Sequence, residues 1–455
     1  MKINGAKIHL IGIGGIGISG LGLYLQSQGA IISGSDIAYT PTIKKLQNQG
    51  IKIHIPHSKN AITDQDLVIH SAIISPDNEE IAQAKALKIP IFSRREALSF
   101  ILAQKRVFSI CGAHGKSSTS AMLSSIFSDF GAIIGAESKE FGSNVRSQKN
   151  ESLIFEADES DKSFLNSNPF CSIITNAEPE HMESYDYNEA KLQDAYIEFI
   201  NKSQRSIINI SCPFLRQIYL SNRVDKNKIT ALDPIKDIKN IKFFLKNNQP
   251  FCSFELLDFG TFEVYGIGEH SAHNAALAIL CASFEKSIPE IRENLKNFRG
   301  IKKRFDILNR PNDAQMIVID DYAHHPTEIS ATLKSARVYA SLKGINEVIA
   351  IWQPHKYSRL KDNLSAFQTC FKDCDKLIIL PVWRTNEAKI DLDMHELFKQ
   401  YNPIFATHIK RDGAEIAVFS QDEILLKLNK DLAIGLGAGD ITYQIRGDIC
   451  DIGEK

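Results

Sequence analysis

Residues 107–119 read VFSICGAHGKSST, an apolar run, a glycine-rich turn and the opening of a segment, SAMLSSIF, with helical periodicity. Strand, glycine turn and helix in that order are the context a phosphate-binding loop requires. The backbone amides of Gly112 to Lys116 and the helix N-terminus can surround phosphate oxygens, Lys116 adds positive charge, and the Ser117 hydroxyl can reach Mg²⁺. A full G-x-x-x-x-G-K frame would place Gly at Ile110, so the match is short, and read alone it also fits an ordinary turn.

The same grammar recurs on either side. SLIF (152–155) runs into Glu156, Asp158, Glu159 and Asp161, placing carboxylates at a strand end as in the acidic, metal-binding strand of nucleotide hydrolases. CSIITNAEPEHMESY (171–185) brings Asn176, Glu178, Glu180 and His181 to another strand end, where acidic neighbours would keep the histidine near a metal or phosphate. His54, His57 and His70 are read as ordinary surface or core histidines. Farther on, MIVIDDYAHHPTEI (316–329) and VIAIWQPHKYSRL (348–360) each end an apolar run in a polar cluster. Pro326 suits the first turn of a helix, leaving Tyr322, His324 and His325 in the loop before it, while Lys356 and Arg359 offer positive charge to a carboxylate.

Short apolar runs alternating with helical stretches predict parallel sheets with crossover helices, and ligands in such sheets gather beyond the carboxyl ends of the strands. Strands are predicted at Ile8–Ile11, Ala30–Ser33, Ile51–Ile55 and Leu67–His70, and later at Met316–Ile319, Val348–Trp352, Leu377–Leu380 and Leu432–Leu436. GEHSAHNAALAILCASF (268–284) reads as a helix. A chain of 455 residues is too long for one core. Three α/β domains are expected at 1–104, 105–300 and 301–455: a Rossmann-like N-terminal domain, a central P-loop ATPase-like domain and a C-terminal Rossmann-like domain. Residues 214–254 read poorly, and Lys236, Lys239, Lys242 and Lys246 are assigned only to a solvated face.

The N-terminal block contains a second cradle. LIGIGGIGISGLGLYL (10–25) has Gly12, Gly14 and Gly17 in G-x-G-x-x-G spacing, with Asp36 of SGSD at the distance of a dinucleotide fingerprint. Spacing reports a pyrophosphate at a helix N-terminus and not which molecule carries it. An NAD-dependent oxidoreductase would fit this loop, but it leaves the Gly-Lys-Ser loop and both acid clusters without a role.

Six glycines between Gly12 and Gly22 argue against a signal peptide or a membrane span. A formal net charge of −1 gives no field to gather nucleic acid or an anionic membrane, so small-molecule partners are expected. The eight cysteines are scattered without a C-x-x-C pair, which fits a reducing, cytoplasmic setting.

Taken in order, GIGGIGISG, SGSD, GAHGKSS, EADESDKSFL, TNAEPEHM, HNAALA, KKRFD, DDYAHHPTE, QPHKYSR and GAGDI resemble the Mur ligases of bacterial cell-wall synthesis over nearly the whole chain. The resemblance implies ATP-dependent amide formation. The lactyl carboxylate of UDP-N-acetylmuramate would attack the γ-phosphate of ATP, and the amine of L-alanine would then attack the resulting acyl phosphate. It also implies site residues. Gly12, Gly14, Gly15, Ile16, Gly17, Ser19, Asp36 and Ser71 would hold the UDP-sugar. Gly112, Ala113, His114, Gly115, Lys116, Ser117, Ser118, His270, Asn274 and Arg304 would hold ATP, with Lys116, His181 and Arg304 catalytic. Ser117, Glu156 and His181 would bind Mg²⁺, and Tyr322, His324, Lys356 and Arg359 would receive the amino acid. A monomer or weak homodimer is expected.

The chain departs from the family at three places. Ala113 and Ser117 stand where the loop usually carries threonine, Ser271 where asparagine is usual, and Lys356 where arginine would present a bidentate fork. Two further readings arise: the related recycling ligase that joins a preformed murein peptide to the same sugar nucleotide, which stays open, and a non-catalytic nucleotide-binding regulator. The second would require Lys116 or Glu156 to be absent, and both are present.

Overall fold

A computed structural model describes residues 3–103, 105–179, 182–308, 316–385 and 387–448. The chain forms two compact units, Met1–Lys239 with Glu255–Phe262 and His273–Arg299, and Asn240–Phe254 with Glu263–Ala272 and Gly300–Lys455. The three predicted α/β blocks appear as three mainly parallel sheets. Among the described residues no helix is long and apolar enough to cross a membrane.

The first sheet contains β1 (Lys7–Ile11), β2 (Ile31–Ser35), β3 (Lys52–His54), β4 (Leu67–His70) and β5 (Ile91–Ser93). Its order is β3-β2-β1-β4-β5, with every pairing parallel. Chain progression reverses beside β1, so the crevice past the ends of β1 and β4 is where a doubly wound sheet takes a ligand. The predicted β2 stops at Ser33, but the strand continues to Ser35. Gly34 lies in this extension, and a methyl there would lie 2.8 Å from the Leu10 carbonyl oxygen and 2.6 Å from Ile13. Glycine is placed there by a close approach of backbone and not by a turn.

The second sheet has β6 (Arg106–Cys111), β7 (Gly131–Ser138), β8 (Ser143–Arg146), β9 (Ser152–Glu156), β10 (Pro169–Ile174), β11 (Arg205–Asn209) and β12 (Ile229–Leu232). Its order is β12-β11-β10-β6-β9-β7-β8, antiparallel only at β8. The glycine loop therefore leaves a central strand, with the acidic strand β9 on one side and β10 on the other. Phe108 anchors β6 among Phe127, Phe130 and Phe170, with ring centroids 5.3–5.6 Å apart. Tilted ring contacts of this kind add to the burial of such large apolar rings.

β13 (Ile238–Lys246), β14 (Gln249–Leu256) and β15 (Thr261–Tyr265) make a three-stranded sheet. The stretch that read poorly thus holds the helix Pro213–Leu220, β12, the short helix Pro234–Asp237, β13 and β14. Lys236, Lys239, Lys242 and Lys246 are exposed, as expected.

In the second unit, β16 (Asp306–Ile307), β17 (Met316–Asp321), β18 (Val348–Trp352), β19 (Lys376–Ile379) and β20 (Ile404–Phe405) precede an antiparallel trio, β21 (His408–Asp412), β22 (Glu415–Ser420) and β23 (Glu423–Leu428). β24 (Asp431–Leu436) then inserts to give the order β16-β17-β24-β18-β19-β20. Trp352, the last residue of β18, is fully buried against Phe367, Phe371 and Phe398. The loop that follows therefore starts from a fixed base.

Candidate functional site

The central loop is held open by its neighbours. Gly112 (φ +127°) and Gly115 (φ +81°) take left-handed conformations that only glycine adopts cheaply. The Asn176 side chain grips the loop from the end of β10, with Oδ1 accepting from the His114 amide at 2.8 Å and Nδ2 donating to the His114 carbonyl at 2.9 Å. The Thr175 hydroxyl donates to the same carbonyl at 2.6 Å, and Asn209 on β11 secures the Thr175 carbonyl at 2.9 Å. Asn274, on the helix Glu269–Ala282, abuts the loop: a methyl on Gly115 would lie 2.5 Å from its Oδ1.

Lys116 opens the helix Lys116–Ile126 and curls back, donating to the Gly112 carbonyl at 2.6 Å and to Glu159 at 2.8 Å. Burial opposes its charge, but Glu159 and Asp158 outweigh burial and raise its pKa, so the ammonium is fully charged at neutral pH. The Ser117 hydroxyl donates to Glu156 Oε1 at 2.9 Å, and the other carboxylate oxygen accepts from the Gly135 amide at 2.6 Å. Hydroxyl and carboxylate oxygens side by side are the hard donor pair a divalent cation takes next to a phosphate, so the residues present fit Mg²⁺. Ser118 is half-buried on the same turn. His181 and Glu180 lie outside the described residues.

The first cradle uses its predicted glycines as scaffold. The amides of Gly12 and Ile13 donate to the Ser35 carbonyl at 2.9 and 3.0 Å, and that of Gly14 to Asp36 Oδ2 at 2.7 Å. Asp36 thus shapes the loop. Gly15 caps the helix Ile16–Ser27, whose opening amides, Ile16 and Gly17 first, have no intrahelical acceptor and face an incoming anion. Ser19 turns its hydroxyl back to the Ile16 carbonyl at 3.1 Å and is buried, while Ser71 packs against Gly12. Arg94, which the sequence reading does not single out, stands beside Gly17, where a methyl would lie 3.0 Å from its Nε. That Nε is buried with no hydrogen-bond partner among the described residues, and Nη1 lies 4.0 Å from Asp161. Its only signal in the sequence is its place at the first turn after β5.

In the second unit the ends of β17 and β18 bring the remaining residues together, apart from His270, which packs beside Gly268. Arg304 pairs with Glu328 at 3.2 Å and lies over the Tyr322 ring, 5.3 Å from its centre. The Tyr322 and His324 rings are 5.2 Å apart, and His324 and His355 5.9 Å. Arg359 Nη1 is 2.9 Å from His355 Nδ1, and His324 Nδ1 is 2.9 Å from the Tyr322 carbonyl. A guanidinium only donates and a carbonyl only accepts, so His355 carries its proton on Nε2 and His324 on Nδ1. Lys356 (φ +67°) caps the helix Tyr357–Asp362. His355 joins this cluster, although the sequence pattern singles out only its neighbour Lys356.

Burial first, with Arg359 adding to it, pushes His324 down to about 4 and His355 to about 3. Both are neutral at pH 7, so the positive charge here belongs to the arginines. Because the folded pKa values lie below the unfolded value near 6.5, the stabilisation is present above pH 6.5 and lost as pH falls toward 4. For His324 alone it is about 3 kcal/mol. Asp321, raised to about 6 by burial, titrates in the opposite sense. The melting temperature of a His324→Gln/His355→Gln variant should therefore fall less than wild type between pH 6.5 and 4. Parallel curves would contradict the neutral assignment.

Two glycine-rich turns at strand ends and a cluster carrying Arg304 and Arg359 at the ends of β17 and β18 fit a nucleotide-dependent enzyme with an anionic co-substrate. The chain belongs to the Mur ligase family: residues 7–106 match the model for the Mur ligase family, catalytic domain, 110–282 the Mur ligase middle domain, and 303–429 the Mur ligase, glutamate ligase domain. It is 55% identical over 450 residues to a UDP-N-acetylmuramate--L-alanine ligase of Helicobacter pylori (strain P12), covering 98% of each chain. It is 48% identical over 441 residues to the enzyme of that name from Campylobacter curvus, covering 97% of this chain and 99% of the other. Among solved structures, the UDP-N-acetylmuramate-alanine ligase MurC of Thermotoga maritima superposes with a TM-score of 0.79 at 23% identity, covering 97% of this chain and 98% of that one. A murein peptide ligase of Psychrobacter arcticus gives 0.64 at 19% identity, covering 98% and 100%. These two likenesses concern the fold.

Proposed function

We propose that this protein is an ATP-dependent ligase that joins L-alanine to the lactyl carboxylate of UDP-N-acetylmuramate, working with Mg²⁺ in the cytoplasm to build peptidoglycan precursors. The observation that carries the reading is the pairing of Lys116 with Glu159 and of Ser117 with Glu156 at the ends of the adjacent strands β6 and β9. It assembles what phosphoryl transfer needs, a fixed cation and oxygen ligands beside an open amide cradle. Identity with curated L-alanine ligases over the whole chain favours alanine over a preformed peptide. We take the domains as 1–104 for the UDP-sugar, 105–300 for ATP and 301–455 for the amino acid.

In this reading the amides at Ile16 and Gly17, with Arg94, hold the pyrophosphate of the sugar nucleotide. Lys116 neutralises charge on the phosphoryl group as the lactyl carboxylate attacks it, converting a poor acyl donor into one with a good leaving group. Ser117 and Glu156 would hold Mg²⁺, which when bound neutralises phosphate charge. Arg359 binds the carboxylate of the amino acid, and His355, fixed as its Nε2–H tautomer, offers a donor beside it. Arg304 contributes a second guanidinium, aimed by Glu328 and Tyr322.

Phosphate release measured with UDP-N-acetylmuramate, ATP and a panel of single amino acids and a murein tripeptide tests the reading. Turnover with L-alanine and none with the tripeptide is expected; the reverse preference would assign the recycling ligase instead. Arg359→Ala should raise the KM for L-alanine by at least about tenfold, the loss of one charge-assisted hydrogen bond. An unchanged KM would remove Arg359 from the amino-acid site.

A further inference from the structure

Behind the first cradle lies a buried polar network that no step above uses. Glu80, on the helix Glu79–Ala86, is fully buried, as are His9 on β1 and Ser35 at the end of β2. Glu80 Oε2 accepts from the Ser35 hydroxyl at 2.5 Å and lies 3.4 Å from His9 Nε2 and 3.7 Å from His57 Nδ1. Its Oε1 accepts from the Ser58 amide at 2.9 Å. His57 Nδ1 is 2.8 Å from the Ser35 hydroxyl oxygen, and His9 Nδ1 2.9 Å from that of Ser33. Because the single Ser35 proton goes to the carboxylate, His57 donates to Ser35, and the network has one direction: His57 to Ser35 to Glu80.

A buried carboxylate costs several kcal/mol to desolvate, and an apolar core of the same volume is often as stable or more so. Stability alone therefore does not account for a glutamate here. What it touches does: Ser35 is the residue whose carbonyl takes the amides of Gly12 and Ile13, and the next residue, Asp36, takes that of Gly14. We propose that Glu80 is a positioning residue for the sugar-nucleotide loop, fixing the end of β2 through the Ser35 hydroxyl so that three loop amides turn inward and the amides of Ile16 and Gly17 are left to the pyrophosphate. The inference rests on the reading of the first cradle as the UDP-sugar site.

Glu80→Gln keeps shape and removes the charge, and Ser35→Ala removes only the hydroxyl link while keeping the carbonyl. Calorimetric titration with UDP-N-acetylmuramate and steady-state kinetics should show each variant raising Kd and KM for the sugar nucleotide about tenfold, the loss of a hydrogen bond to a charged group. The KM for ATP and kcat at saturation should stay within twofold. The double variant should be no worse than the weaker single one, because both cut the same link. Folded single variants with wild-type affinity, additive losses, or an equal loss of ATP affinity would each overturn the proposal. A wild-type protein that does not bind UDP-N-acetylmuramate would overturn both it and the functional reading, whereas normal wild-type binding with unaltered variants overturns the positioning role alone.

Discussion

Lys116→Ala should reduce L-alanine-dependent phosphate release by about a thousandfold, the upper range for removing one preorganised charge partner of a transition state. Its Nζ reaches both the Gly112 carbonyl and Glu159, so it lies across the floor of the loop where the transferred group must sit. The first cradle uses other residues, so UDP-N-acetylmuramate should bind with wild-type affinity. Removing the lysine also leaves Glu159 buried without its counter-charge, which destabilises by several kcal/mol unless the carboxyl takes up a proton. Lys116→Ala/Glu159→Gln should therefore melt closer to wild type while remaining inactive. Alanine-dependent phosphate release surviving in either variant would remove Lys116 from the chemistry.

Gly112→Ala should weaken ATP binding by more than about a hundredfold, since overpacking and a left-handed backbone each cost of order 1–3 kcal/mol. At φ +127° the new methyl would press on the Thr175 hydroxyl and lie 2.5 Å from the Asn176 carbonyl oxygen, and backbone cannot move aside as a flexible side chain can. Thr175 and Asn176 are also the residues that shape the loop, so the damage lands on the cradle itself. Gly142 provides the control: its φ is +63°, but a methyl would meet nothing within 4 Å, so Gly142→Ala should leave nucleotide affinity unchanged. Fluorescent-nucleotide titration of both variants checks this. Similar dissociation constants for Gly112→Ala and wild type would mean that ATP binds elsewhere.

The sequence made legible those parts of the site whose chemistry is local. Gly112, Gly115, Lys116 and Ser117 lie in one turn, and Tyr322 and His324 in another, so short patterns exposed them. The strands were legible for the same reason: Leu67–His70 and Val348–Trp352 were predicted with the bounds they have. The partners were not. Nothing near Glu159 says that it pairs with Lys116, 43 positions away, and nothing near Asn176 says that it grips His114, 62 positions away. Glu80 is singled out by no motif, and only the folded sheet brings it under Ser35. The end of β2 was not legible either, because the residues that crowd Gly34 come from β1 and the loop beyond.

The same central loop also sets what form of nucleotide the protein can accept. Around it one lysine faces three carboxylates, Glu156, Asp158 and Glu159, and the lysine is already engaged with one of them. To a bare polyphosphate this bed is repulsive. Titration of ATP in chelator should therefore give little or no binding, and affinity should rise with the free concentration of the divalent ion and not with total nucleotide. Under the proposed function the acid cluster would then favour polyphosphate that already carries its counter-ion over the bare form.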